Sequence, residues 1–242
     1  MRSRGLRLLP ICGLVLMLLA GIGGARAGNL EVVLAAGDDA QPVFDNAVAA
    51  MAAWLEARGV PAADIHRLSA SPAKAGNWDG LSTLDNLLHT VEDLSVRPGD
   101  RCLVFLTSHG ERGEGLWLAR SQTALHPASL ARALAQGCGA APTVVIVSGC
   151  YSGGFARGEM ARPNRVIMTA ARADRPSFGC QAERTYTFFD QCLLAALPKS
   201  ASWRTAFAQT KRCVGRMERA RGERPSQPQA YFGKAASVKM GF

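Results

Sequence analysis

The stretch that decides the fold is Pro142 to Phe155, P-T-V-V-I-V-S-G-C-Y-S-G-G-F. Thr143 to Val147 are all β-branched and nearly all apolar, the composition of a strand buried on both faces. The run stops at Ser148 and gives way to Gly149, Cys150, Ser152, Gly153 and Gly154. Residues this small let the backbone turn sharply and approach a ligand closely. A cysteine at the carboxyl end of a central strand sits where open α/β sheets place their chemistry. The competing reading is a buried structural thiol, because free cysteines are among the most buried side chains. The rest of the chain decides between them.

Upstream, Arg101 to Thr107 (R-C-L-V-F-L-T) predicts another buried strand, running into Ser108-His109-Gly110 and a charged, glycine-rich loop from Glu111 to Gly115. Leu116 to Ala119 suits a short hairpin arm. Pro127 opens a helix at its favoured first position, with Leu130 and Leu134 inward. Nearer the amino end, Leu30 to Ala36 predicts a strand. Val48, Met51, Trp54 and Leu55 recur at helical spacing between Asp45 and Arg58, and Gly59 and Pro61 stop that helix. Asp64 to Leu68 is a short strand, Ser71 to Gly80 a loop, and Leu81, Leu84, Leu87, Leu88 and Val91 mark an amphipathic helix.

Downstream, Arg165 to Ala170 predicts a strand, and Asp174 to Cys180 a loop. Helices follow over Phe188 to Leu197 and Ser202 to Arg221, the second with Trp203, Phe207, Val214 and Met217 as its apolar stripe. The tail from Pro225 to Gln229 reads as extended. Strands alternating with helices predict an α/β fold, a mainly parallel sheet covered by helices on both faces.

The first 27 residues read as a signal peptide rather than as part of the domain. Arg2, Arg4 and Arg7 form a basic start, Ile11 to Ile22 an apolar run, and Ala25-Arg26-Ala27 a small-x-small cleavage pattern. Cutting near Ala27 leaves one domain, residues 28–242, secreted or periplasmic, with no stable membrane anchor expected. The leader holds four arginines and no acids, so the net charge falls from +9 to +5. Much of that charge falls late, at Lys211, Arg212, Arg216, Arg219, Arg221 and Arg224, on the polar side of the last long helix. Without interleaved aromatics or a known motif it does not point to nucleic acid. Cys102, Cys138, Cys150, Cys180, Cys192 and Cys213 remain after the leader's Cys12 is removed. Export favours pairing. If Cys150 stays free, at least one more thiol is unpaired, and spacing alone does not choose which.

A cysteine nucleophile needs a histidine to handle its proton. His66, His89, His109 and His126 all precede Cys150. That order excludes an α/β-hydrolase, whose histidine comes last, and a papain-like enzyme, which places Cys before His. Arg157 is one residue too far for a tyrosine-phosphatase loop. With no CxxC and no HExxH, neither a metal nor another cofactor is expected. His66 falls in a strand, His89 on a helix and His126 before a helix, all suited to structural roles. His109 stands at the end of one central strand and Cys150 at the end of the next. Their separation of 41 residues leaves room for a crossover helix between parallel neighbours.

F-L-T-S-H-G around His109 and V-I-V-S-G-C-Y-S-G-G around Cys150 resemble the two catalytic segments of the legumain family of caspase-like cysteine peptidases, in an exported, bacterial-type form. Ala124 to Leu134 resembles the family's linking helix. Thr169 to Arg172 through Ser177 to Cys180 resembles its segment beside the primary specificity pocket. The resemblance implies a caspase-like fold and an endopeptidase acting on peptide or protein substrates. Cys150 would attack the scissile carbonyl, His109 would protonate the leaving amine, and the N–H groups of Gly110 and Cys150 would hold the oxyanion. It also implies a substrate pocket near Ser177, with Glu183 or Asp174 as its acidic residue. The family's basic pocket residue precedes the first helix, where Pro42, Val43 and Phe44 stand here, which argues against asparagine specificity. No third catalytic member is assigned; Asp45 and Asn46 are merely nearby. Three other readings compete: a transamidase using the same pair, a catalytically silent binding domain, and a thiol-redox protein, which the missing CxxC opposes.

Overall fold

The computed structural model describes residues 28–239, so the signal peptide read at residues 1–27, with Cys12, lies outside the described residues. The chain enters through β1 (Leu30–Ala36), α1 (Val43–Glu56), β2 (Ile65–Ser69), the short α2 (Pro72–Ala75), β3 (Gly80–Leu81) and α3 (Leu84–Glu92). After β4 (Arg101–Thr107) comes a small antiparallel sheet of β5 (Gly110–Glu111), β6 (Gly115–Leu118) and β7 (Thr123–Leu125), then α4 (Pro127–Gly137). β8 (Thr143–Ser148) leads into two 3-10 turns, Ser152–Ala156 and Gly158–Met160, and on to β9 (Arg165–Thr169). α5 (Phe188–Ala196), α6 (Trp203–Ala220), β10 (Gln229–Phe232) and α7 (Lys234–Lys239) complete it.

The main sheet has seven strands in the order β10-β9-β8-β4-β1-β2-β3. All pairs are parallel except β10 with β9. Leu103 of β4 lies opposite Val32 on one side and Val144 on the other, and Val144 in turn opposite Val166. Successive side chains alternate between faces, so these near-continuous apolar strands feed two cores at once. Val32, Leu34, Leu103, Phe105, Val144 and Ile146 pack against α1, α5 and α6; Val33, Ala35, Val104, Leu106, Val145 and Val147 pack against α3 and α4. The α/β architecture expected from the sequence is the observed one.

The differences fall where a segment is too short for periodicity to register. The loop read at 71–80 holds α2 and leads into the edge strand β3, which takes Leu81 out of the following helix. Thr83 ends the strand region and caps α3, its hydroxyl accepting from Asn86 N at 3.2 Å. In the loop read at 111–115, Arg112 to Glu114 form the turn of the β5–β6 hairpin, and the extended tail read at 225–229 meets β10 only at Gln229, the strand running on to Phe232. Two disulfides settle the cysteines: Cys102–Cys138 ties β4 to the end of α4, and Cys192–Cys213 ties α5 to α6. Cys150 and Cys180 are free. Among the described residues no helix is long and apolar enough to cross a membrane.

Candidate active site

β4 and β8 are adjacent and parallel, with Thr107 opposite Ser148 at their carboxyl ends. Two residues beyond each lie His109 and Cys150, and both line one small cavity together with Phe44, Ser177, Phe178 and Cys180. Its volume is about 10 Å3, room for little more than a single water. A substrate side chain enters only as these walls move.

The imidazole is held from two sides. Phe44, at the start of α1, meets it edge to face with ring centroids 5.2 Å apart, and Gln41 Oε1 faces its Nε2 at 3.4 Å. The nitrogen left over is Nδ1. The thiol rests against Ser177, whose N–H donates to Sγ at 3.3 Å while Sγ lies 3.4 Å from the Ser177 carbonyl oxygen. After Cys150 the chain turns abruptly: Tyr151 adopts a left-handed conformation, φ 57° and ψ 13°. That conformation costs a tyrosine roughly 1–2 kcal/mol. It is fixed by the bond from Tyr151 N to the Arg175 carbonyl, 2.8 Å, and non-glycine strain of this kind concentrates at functional sites. Gly110 packs so tightly on the Cys150 backbone that a Cβ there would overlap the Cys150 carbonyl oxygen.

Of the residues singled out from the sequence, His109, Gly110, Cys150 and Ser177 meet here. Glu183 and Asp174 do not, which corrects the expectation of an acidic pocket built from either. Glu183 is exposed and does not border the cavity. Asp174 is exposed and turned onto Arg172, Nη2 to Oδ2 2.7 Å, and this bond holds its carboxyl down to about 2. Proximity along a loop does not fix the direction of a side chain, and a guanidinium two residues away decided this one. Asp45 and Asn46 are committed elsewhere, Asp45 accepting from the Ser69 hydroxyl at 2.7 Å and Asn46 donating to the Thr185 carbonyl at 3.1 Å. His89 faces the Asp85 carbonyl, and His126, at the N-cap of α4, faces Glu114. Cys180 was not assigned to the site from the sequence, yet it lines the cavity; burial first, and then the nearby Cys150, pushes its thiol up.

The acid that does approach the site is Asp190, in the first turn of α5. It is completely buried, and its Oδ2 accepts from the Thr107 hydroxyl at 2.8 Å, two residues before His109. Thr187 caps the helix over it and lies 3.5 Å from the Ser148 hydroxyl, two residues before Cys150. Oδ1 has no hydrogen-bond partner. Burial pushes the carboxyl up to about 6, with the hydroxyls of Ser148, Thr107 and Thr187 opposing it. Because the folded form holds its proton to higher pH than the unfolded chain, stability is lost as pH rises from about 4 to 6. The full loss is about 3 kcal/mol. Urea unfolding of Asp190→Asn beside the native protein should therefore show the variant gaining about 2 kcal/mol of relative stability between pH 4 and pH 7. A pH-independent difference would contradict this burial argument.

No group of three or more His, Cys, Asp or Glu side chains among the described residues is placed to hold a metal ion. In comparison with known proteins, the model of the Peptidase C13 family matches residues 85–237, from α3 to α7 and across both His109 and Cys150. The crystal structure of caspase-1 from Spodoptera frugiperda aligns with a TM-score of 0.56 over 86% of each chain, at 15% identity, a likeness of fold. No match is found among the curated proteins. A match over more than half of its length, on a caspase-like sheet, places the chain in the Peptidase C13 family, the legumain family of cysteine peptidases.

Proposed function

We propose that the chain is an exported cysteine endopeptidase in which Cys150 is the nucleophile and His109 the proton carrier. The observation that carries this reading is that imidazole and thiol, from separate adjacent strands, border one cavity. In the first step His109 takes the thiol proton through the nitrogen not facing Gln41, and sulfur bonds to the carbonyl carbon of the scissile amide. The oxyanion that forms lies against the N–H groups of Gly110 and Cys150, donors that a rigid pair of turns holds ready at no cost of reorganisation at the moment of reaction. The imidazolium then protonates the departing amine, leaving a thioester on Cys150. Water, deprotonated by His109, repeats the sequence and releases the acid.

The residue preceding the cut bond is received on the Ser177 side, in keeping with the family resemblance of that segment. Ser148, Thr187 and the buried Asp190 lie behind it and replace Glu183 and Asp174 as the polar groups nearest the pocket. Export to a secreted or periplasmic setting after cleavage near Ala27 agrees with the two disulfides, which persist in oxidising compartments.

The test is a peptide-library digest with the protein in mild reductant, with and without an added amine nucleophile. Cleavage blocked by thiol alkylation is the expected result. Products joined to the added amine would assign transfer rather than hydrolysis to the same pair. Intact peptides throughout would leave only a silent binding domain.

A further inference from the structure

Tyr151, the residue after Cys150, lines a second, open cavity of about 420 Å3, within the range of roughly 300–1,000 Å3 typical of ligand pockets. The two cavities share no lining residue. The wall of the open one begins immediately beyond each oxyanion donor, for Glu111 follows Gly110 and Tyr151 follows Cys150. The β5–β6 turn, the start of α4 and the two 3-10 turns close the rest. Phe155 and Met160 back it from within the core, 1% and 0% exposed, and its accessible apolar lining includes Pro127, Ala128 and Tyr151. The rim is charged and accessible, with the carboxylates of Glu111, Glu114 and Glu159 against one cation, Arg157. A second guanidinium, Arg112, is stacked over the Tyr151 ring at 5.1 Å, and Glu114 also faces His126 at 3.5 Å.

We propose that this cavity receives the polypeptide on the carboxyl side of the scissile bond and selects a lysine or arginine there. The inference rests on the peptidase reading, which places the preceding residue on the Ser177 side. Continuity with the site argues for a substrate rather than a separate ligand: a chain crossing Cys150 away from Ser177 passes Tyr151 and enters this space. The chemistry of the walls argues for the side chain. A long aliphatic stem lies along the part-exposed Pro127, Ala128 and Tyr151, while its cationic head stays at the wet rim among three carboxylates. An acidic side chain would meet like charge at the same rim, and a short one would leave Pro127, Ala128 and Tyr151 uncovered.

The experiment uses quenched fluorescent peptides identical up to the scissile bond, with Lys, Ala or Glu at the two positions after it. The readout is the ratio of kcat/KM for Lys over Glu within one enzyme preparation, so a partly unfolded variant does not distort it. The native enzyme should favour Lys by about tenfold, the scale of two or three partly exposed charge pairs. The ratio should shrink with added salt, as exposed charges are screened. In Glu111→Gln/Glu114→Gln/Glu159→Gln it should fall to within about twofold of unity, and Glu159→Lys should lower it in the same direction. Cleavage with no preference after the bond, or a preference untouched by these substitutions, overturns this inference and leaves the peptidase reading standing. Failure to cleave any of the peptides, or cleavage that survives alkylation of Cys150, overturns the peptidase reading and this inference with it.

Discussion

Cys150→Ala should abolish peptide cleavage, and His109→Ala should lower kcat/KM by about ten-thousandfold or more, with both variants as stable to urea as the native chain. The size follows from the division of labour. In the proposed mechanism sulfur forms the only covalent bond to the substrate and the imidazole carries the proton in every step, so each substitution would remove the whole covalent route rather than one contact. The residual rate should be that of the oxyanion donors acting alone. Little stability is at stake, because both side chains are only half-buried at the sheet rim and their packing partners are few: Phe44 and Gln41 for His109, Ser177 for Cys150. The double variant should be no slower than Cys150→Ala, since residues acting as a unit do not add. Steady-state kinetics on the best peptide from the library digest checks all three.

The second large effect is expected at Gly110. An alanine Cβ there would collide with the backbone carbonyl of Cys150, which no side-chain rotation relieves. The two turns must separate, and the N–H groups of Gly110 and Cys150 then no longer point at one oxygen. Loss of a single preorganised donor costs about a hundredfold to a thousandfold in rate. Displacing two should cost Gly110→Ala about a thousandfold or more in kcat, with KM changed far less, because the donors act on charge that develops only in the transition state. A drop confined to KM would show that Gly110 serves binding or the turn alone.

The parts of the molecule legible from sequence are those in which one segment dictates its own environment. Arg101 to Thr107 and Thr143 to Ser148 are central strands, and burial on both faces writes itself as an uninterrupted apolar run. That His109 and Cys150 would reach one edge of the sheet was legible because chain order and strand ends constrain it without any knowledge of side-chain direction. β3, β5 and β10 were illegible because two to four residues at a sheet edge or in a hairpin carry no period. Gln41 sits in the turn before α1 and reaches His109 across 68 residues of sequence, and Asp190 reaches Thr107 across 83. Contacts of that kind exist only after the sheet has ordered its strands. The pairing of Asp174 with Arg172 shows the opposite failure, a short-range bond that diverts a residue from the site its position suggested.

The measurement closest to the central claim is the rate at which iodoacetamide alkylates Cys150, read by mass spectrometry in the native chain and in His109→Ala. Cys180 serves as the internal reference, a thiol in the same cavity that burial keeps protonated. If thiol and imidazole work as a pair, Cys150 should react at least tenfold faster than Cys180 in the native chain and lose that advantage when His109 is removed. Equal labelling of the two cysteines, or an advantage of Cys150 that persists without His109, would contradict the account.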